Sequence, residues 1–361
     1  MTRAEWMHFM RTLPKALLST ISAFSLAFFL LCLGLTPAHA EETFEQRIPR
    51  DLLERGDRFL TLTSENDLYG SGRDENYTNG LRATYMKVGQ RPGAIGRLIE
   101  KYVPTFEIND TTSTFYSIGQ NLYTPDDITL RVPEPDDRPY AGFLYGSAGF
   151  SSVTNNHIDT VEATLGIVGP WALGEPTQET VHDLIDTDDP SGWDTQLENE
   201  PGLILSWERR WPEAWTVEKG DYLLRLAPHI GASAGNVYTY AATGATVQFV
   251  PTKTRWQATP LRVRPAIPGS GVFVVPDDTV AWSLFAGVEG RAVARNIFLD
   301  GNTFEDSPDV SKKPFVIDAN IGASIGFKRV RVSYTLNWRS KEFDGQDNSS
   351  LLGAISLGTR F

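Results

Sequence analysis

A membrane-spanning antiparallel β-barrel of twelve strands, all-β apart from a short helix in one extracellular loop, is the fold class this sequence predicts. Three observations predict it. The last two segments alternate residue by residue, and the chain stops on an aromatic, Phe361. An apolar export segment stands at the front. Between these ends no other apolar run approaches the ~20 residues that a spanning helix needs.

The front comes first. Arg3, Arg11 and Lys15 flank an apolar run from Ala16 to Leu35, and Ala38-His39-Ala40 follows as a small-x-small cleavage site. Residues 1–40 therefore read as a signal peptide cleaved after Ala40, and 41–361 as one barrel domain. Cys32 is the only cysteine, so the exported chain has neither disulfides nor thiolate metal sites. The first forty residues hold three of the 33 basic and one of the 45 acidic residues, which leaves 30 against 44, net −14. Such a balance argues against a nucleic-acid partner.

Strands follow near 57–66, 76–88, 111–122, 140–153, 156–168, 200–211, 219–233, 236–249, 280–294, 314–327, 328–338 and 350–361. In the first, Leu60 and Leu62 face lipid, and Asn66 shares their parity. In the second, Leu81 and Ala83 face outward, so simple alternation turns Thr78 inward unless a bulge at Gly80 corrects it. In the seventh, Arg225, Ala227 and His229 point into the lumen. A long Pro-rich connection, 250–278, separates the eighth and ninth. In the eleventh, Val330, Val332, Tyr334, Leu336 and Trp338 share one face and Arg331, Ser333, Thr335, Asn337 and Arg339 the other. The last puts Leu351, Ile355, Leu357 and Phe361 on one face. Apolar-out, polar-in alternation, an even strand count and a terminal Phe resemble bacterial outer-membrane barrels. Phe361 then marks the periplasmic rim, and connections after odd strands face outside the cell.

The polar motifs fall on that outer rim: Asn66-Asp67 after strand one, NYTNG (76–80) opening strand two, NLYTPDD (121–127) after strand three, DDRPYAG (136–142) opening four, GIVGP (166–170) after five and GWDTQLENE (192–200) opening six. Turn chemistry alone predicts polar residues at both rims, whereas the opposite-rim turns SSVTNN and FKRV are short and plain. Between strands five and six, Pro176 suits a first helical turn. Gln178, Val181, His182 and Ile185 then fall on one helical face. Residues 41–361 contain three histidines. His157 falls in a periplasmic turn and His229 in the lumen, so His182 is the histidine of the outer rim.

A histidine among acids and amides suits general-base hydrolysis. Two G-x-S-x-G matches, GASAG (231–235) and GASIG (322–326), sit within strands with no helix following and are not nucleophile elbows. A serine hydrolase resembling a barrel phospholipase stays open, with Ser64 or Ser71 as nucleophile.

Together, END…YTNG, QNLYTPDD, DDRPYAG, GIVGP, QETVH and GWDTQLENE resemble the outer-membrane lipid A 3′-O-deacylase family. The resemblance implies a twelve-stranded barrel in the bacterial outer membrane, a site between the outer wall and a loop helix, and calcium-assisted ester hydrolysis of lipid A in lipopolysaccharide. By motif it implies His182 as general base, Gln178 and Asn66 as orienting amides, Thr78 as polar support, and Asp67 with Asp188 as Ca2+ ligands. The family's acidic residue six after the histidine is expected as glutamate, so Asp188 is a departure, and Asp186 and Asp189 compete with it. A loop lysine of the family has no counterpart in 124–135, where Arg131 is the only base. The rival classes are a non-catalytic channel and a lipopolysaccharide-binding structural barrel. The oligomeric state stays open, with a monomer favoured.

Overall fold

The computed structural model describes residues 42–48, 50–54, 56–70, 76–89, 106–185, 190–260 and 279–361, with residues 93, 96, 100, 101, 103 and 263. The expected signal peptide and its cleavage site lie outside these residues. Thr43–Phe361 forms one compact unit. Its strands are β1 (Arg58–Asn66), β2 (Asn76–Lys87), β3 (Ser113–Thr124), β4 (Ala141–Thr154), β5 (His157–Val168), β6 (Glu200–Arg210), β7 (Trp215–Lys219), β8 (Tyr222–Gly235), β9 (Tyr238–Pro251), β10 (Val280–Asn296), β11 (Phe315–Phe327), β12 (Val330–Arg339) and β13 (Ser350–Arg360). Among the described residues four α-helices accompany them: α1 (Phe44–Arg47), α2 (Arg50–Glu54), α3 (Gly174–Ile185) and α4 (Ile297–Asp300).

Every pairing is antiparallel. β1 closes onto β13, with Leu62 opposite Leu357. β6 and β7 pair with successive stretches of β8: Arg210 lies opposite His229, and Trp215 opposite Leu226. These two segments are one barrel strand broken at 211–214, so thirteen segments build a closed barrel of twelve. The expected strands 200–211 and 219–233 leave 212–218 between them as a connection; the chain instead resumes pairing at Trp215 before turning at Gly220, whose φ of 60° suits glycine.

Alternation sorts the side chains as expected, apolar out and polar in. Leu60, Leu62, Ile355, Leu357, Val330, Val332, Tyr334 and Trp338 are exposed, while Thr61, Thr63, Arg331, Ser333, Thr335 and Asn337 are buried. At the rim near Phe361, Tyr222, Phe249 and Trp282 form an aromatic cluster on the outer wall. Exposed Trp338 and Phe315 stand toward the opposite rim. Among the described residues no helix is long and apolar enough to cross a membrane.

Side chains and part of the Pro-rich connection occupy the lumen. Its middle holds ion pairs such as Arg82–Glu162 at 2.7 Å and Arg291–Asp318 at 2.8 Å. The described part of the Pro-rich connection runs inside. Arg225 donates to the Gln257 carbonyl at 2.6 Å and Arg331 to the Ala258 carbonyl at 2.9 Å. Farther in, Val263 N–H donates to Glu65 at 3.0 Å, and Tyr145 donates to the Val263 carbonyl at 3.1 Å. At the other mouth Phe298 of α4 stacks on Tyr123 with ring centroids 4.0 Å apart, within a cluster that includes Phe143 and Tyr238. GASAG and GASIG lie within β8 and β11, where Ser233 and Ser324 are buried structural groups. Ser233 donates to the Tyr238 carbonyl, and Ser324 bonds Ser283.

Candidate active site

The helix α3 lies against the outer face of β3 and β4. Gln120 has the outward parity of exposed Ile118, and its amide donates to the carbonyls of Ala172 (2.7 Å) and Leu173 (3.1 Å) and to Thr177 Oγ1 (3.1 Å). One outer-wall side chain therefore seats the start of the helix. Leu173, with φ 58°, turns the chain from a 3₁₀ turn (Pro170–Ala172) into α3. Gly174 lets the helix close on the wall, since a Cβ there would lie 2.5 Å from the Trp193 ring. Beneath it Leu122, Tyr140 and Trp193 form a buried apolar cluster.

Gln178 and His182, expected on one helical face, do share it. Both are buried, at 2% and 3% exposed. Gln178 Nε2 faces His182 Nε2 at 3.4 Å. Trp193 Nε1 donates to Gln178 Oε1 at 2.8 Å.

Asn66 ends β1 opposite Asn79 of β2, which lies opposite Leu122 of β3. That row runs across the outer wall toward the cluster under α3, at ~4.8 Å per strand. Asn66 Oδ1 and Asp67 Oδ1 both accept from the Leu68 N–H, at 2.7 and 2.8 Å. Asp67 is buried at 2% exposed.

Thr78 corrects the simple parity. The β2–β3 register shifts between Asn76 and Asn79, so β2 carries one extra residue there. A bulge is present, but it precedes Gly80 instead of falling on it. It turns Tyr77 inward against Tyr123 and leaves Thr78 on the outward side, where its Oγ1 meets Thr124 Oγ1 at 2.5 Å. Gly80 makes room for the bulged Tyr77: a Cβ there would sit 2.0 Å from the phenol oxygen.

Asp186, Asp188 and Asp189 lie outside the described residues, as does Ser71. Among the described residues no three His, Cys, Asp or Glu side chains gather as a metal-binding group. Ser64 has outward parity, and its Oγ lies 3.5 Å from the Tyr69 hydroxyl. Arg131 is exposed and pairs with Asp194 at 2.7 Å. Arg138, placed among the rim motifs by sequence, is fully buried inside the mouth. Its guanidinium lies 4.9 Å over Tyr123 and 3.9 Å from Glu342. The loop that carries it is tied by Asp137, which accepts from the N–H groups of Asp126 and Arg138 at 2.7 Å each. Burial pushes that carboxyl above its ordinary range, against the pull of those two amides.

Sequence reasoning quoted GWDTQLENE and QNLYTPDD but passed over Trp193 and Gln120 within them. A tryptophan in an otherwise polar rim motif was the available signal, since its ring needs a cover and its N–H an acceptor.

With this arrangement in view, known proteins can be compared. The family described as outer membrane protein LpxR matches residues 26–361. The chain belongs to the LpxR family. The fold is similar to LpxR from Salmonella typhimurium, with TM-score 0.67 and 22% identity over 83% of this chain and 99% of that one. The translocator domain of autotransporter NalP from Neisseria meningitidis aligns at TM-score 0.36 and 10% identity, covering 96% and 98% of the two chains. No curated protein matches the chain by sequence. As an LpxR-family barrel, the protein is an outer-membrane protein.

Proposed function

We propose that the protein is an outer-membrane esterase that hydrolyses an ester-linked acyl chain of lipid A. One observation carries this reading: a histidine and an amide are buried together on a helix laid against the lipid-facing side of the rim opposite Phe361, which this reading puts outside the cell. That is where an outer-leaflet glycolipid presents its acyl esters, and a lumen site could not reach them.

His182 takes a proton from water as the water oxygen bonds to the ester carbonyl carbon. It returns that proton to the leaving alkoxide as the C–O ester bond breaks. Gln178 and Asn66 supply fixed amide dipoles, and Thr78 a hydroxyl on the same outer wall. Asp67 is a buried carboxylate beside an amide oxygen, a donor set of the kind calcium takes. Asp67 and an acid after α3, with Asp188 the choice by motif, would hold the ion. When bound, calcium supplies positive charge for the tetrahedral oxyanion.

The lumen favours this reading over a channel, because Val263 and the 252–260 segment occupy it. Mass spectrometry of lipid A from cells expressing the protein tests it. Wild type should remove one acyl mass and His182→Ala none. Unchanged lipid A with wild type would defeat the reading, and near-normal turnover by His182→Ala would move the nucleophile to Ser64.

A further inference from the structure

Trp193 is outside every role assigned so far, yet it is 1% exposed and makes a single directed bond into the candidate site. An indole N–H can only donate. Its partner atom on Gln178 must therefore be the amide oxygen, which fixes an amide orientation that would otherwise be free to flip. The Gln178 NH2 is then the group that faces His182 Nε2 at 3.4 Å. Two donors cannot face each other, so Nε2 must present its lone pair and the resting imidazole carries its proton on Nδ1.

We propose that Trp193 is a positioning residue that sets the tautomer of His182 through Gln178. This deepens the esterase reading and rests on it for its catalytic consequence, but the tautomer itself does not. An imidazole nitrogen has one in-plane lone pair, and the 3.4 Å contact on it is at the long limit of a hydrogen bond, so an attacking water displaces the amide N–H before Nε2 takes its proton. Once Nε2–H forms, the Gln178 NH2 cannot accept from it, which favours passing the proton on to the leaving alkoxide. The anchor is itself rigid. Trp193 packs on Tyr140 with ring centroids 5.1 Å apart, and Gly174 passes directly over its ring.

The test uses the refolded barrel, residues 41–361, labelled with 15N histidine. Its three imidazoles are assigned by single His→Gln changes. Wild type should show His182 protonated on Nδ1. Trp193→Phe keeps the aromatic packing and removes only the N–H. It should give mixed tautomers and lower kcat by about 10- to 100-fold, the range that orienting partners of a functional histidine carry, with KM unchanged. Gln178→Glu is the second variant, in case Trp193→Phe does not refold. Its carboxylate should hold a proton on Nε2, leaving both ring nitrogens protonated and deacylation lost. An Nε2–H tautomer in wild type, or wild-type tautomer and kcat in Trp193→Phe, would overturn the proposal. If wild type fails to deacylate lipid A while the NMR outcomes hold, the esterase reading falls and the Trp193 relay stands.

Discussion

Two histidines are buried in this barrel on opposite sides of one wall. His229 points into the lumen, where its Nε2 lies 3.1 Å from Glu289 within a chain of charges that continues through Arg291, Asp318 and Arg339. His182 sits outside the wall beside a neutral amide that Trp193 orients. Burial is nearly equal, 6% against 3%. What differs is the company. A carboxylate beside a histidine makes a charged contact that ties strands together, whereas an amide donor at 3.4 Å is weak enough for a water to displace it. Burial of a titratable group therefore marks a candidate, and the donor or acceptor character of its neighbour separates support from catalysis.

The largest effect breaks the comparison at its reactive member. His182→Ala should lower deacylation by roughly 10²–10⁴-fold, the usual contribution of a general base, while His229→Ala stays within about threefold of wild type. Release of fatty acid from purified lipid A measures both. Equal losses would erase the distinction between the two sides of the wall. Next comes the buried carboxylate of the rim. Asp67→Asn should behave like chelated wild type, with calcium restoring wild type better than magnesium. Full turnover in excess chelator, with metal analysis confirming an empty site, would return Asp67 to closing a turn.

The lumen side can be opened without touching the rim. Glu213 lies in the break between β6 and β7, with its side chain 1% exposed, and meets Arg47 of α1 at 2.8 Å, Arg255 of the inserted connection at 3.1 Å and Arg225 of the wall at 3.4 Å. Phe44 packs against Trp256 across the same closure. Removing one partner of a buried ion network costs roughly 3–5 kcal/mol, here directed at the segment plugging the lumen at the Phe361 end. Wild type in a planar bilayer should be silent, and Glu213→Ala should conduct in bursts with deacylation retained. Steady conductance by wild type would contradict a filled lumen.

How much of this the sequence carried depends on the range of the interaction. Period-two alternation placed β12 and β13 and the lumen position of His229, because each strand residue senses only which face it is on. The 3.6 period placed Gln178 and His182 together for the same local reason. The bulge at Tyr77–Thr78 was not legible where it lies. It is set by Tyr77 folding over Gly80 and packing on Tyr123 from another strand. The broken sixth strand escaped because Trp215–Lys219 alternates too briefly to separate from a turn. The plug escaped because Pro-rich sequence has no period, and its place in the lumen depends on Arg225, Arg331 and Glu65, which are far away in the chain. Arg138 misled for a related reason: its motif lies on the rim, but its side chain turns inward over Tyr123.

The smallest expected effect belongs to the lumen network and leaves chemistry aside. Glu342, in the connection between β12 and β13, lies 3.4 Å from Arg339 and 3.9 Å from Arg138. Burial alone would raise its carboxyl. Arg339, Arg138 and Arg291 outweigh that and hold it below the ordinary carboxylate range. A carboxylate whose folded pKa is depressed stabilises the fold above its unfolded value, about 4.3 for glutamate. That contribution is lost as pH falls through the lower folded value. The heat-modification midpoint of wild type should therefore drop as pH falls below about 4.3, by about 2–4 °C for each kcal/mol lost. Glu342→Gln carries no proton to gain at this position, so it should start lower at neutral pH and lose less on acidification. Parallel acid curves for the two proteins would show that Arg138 stabilises the mouth by packing over Tyr123 instead. The lumen would then be held by shape and not by the charge alternation that sets it apart from the amide-lined site outside the wall.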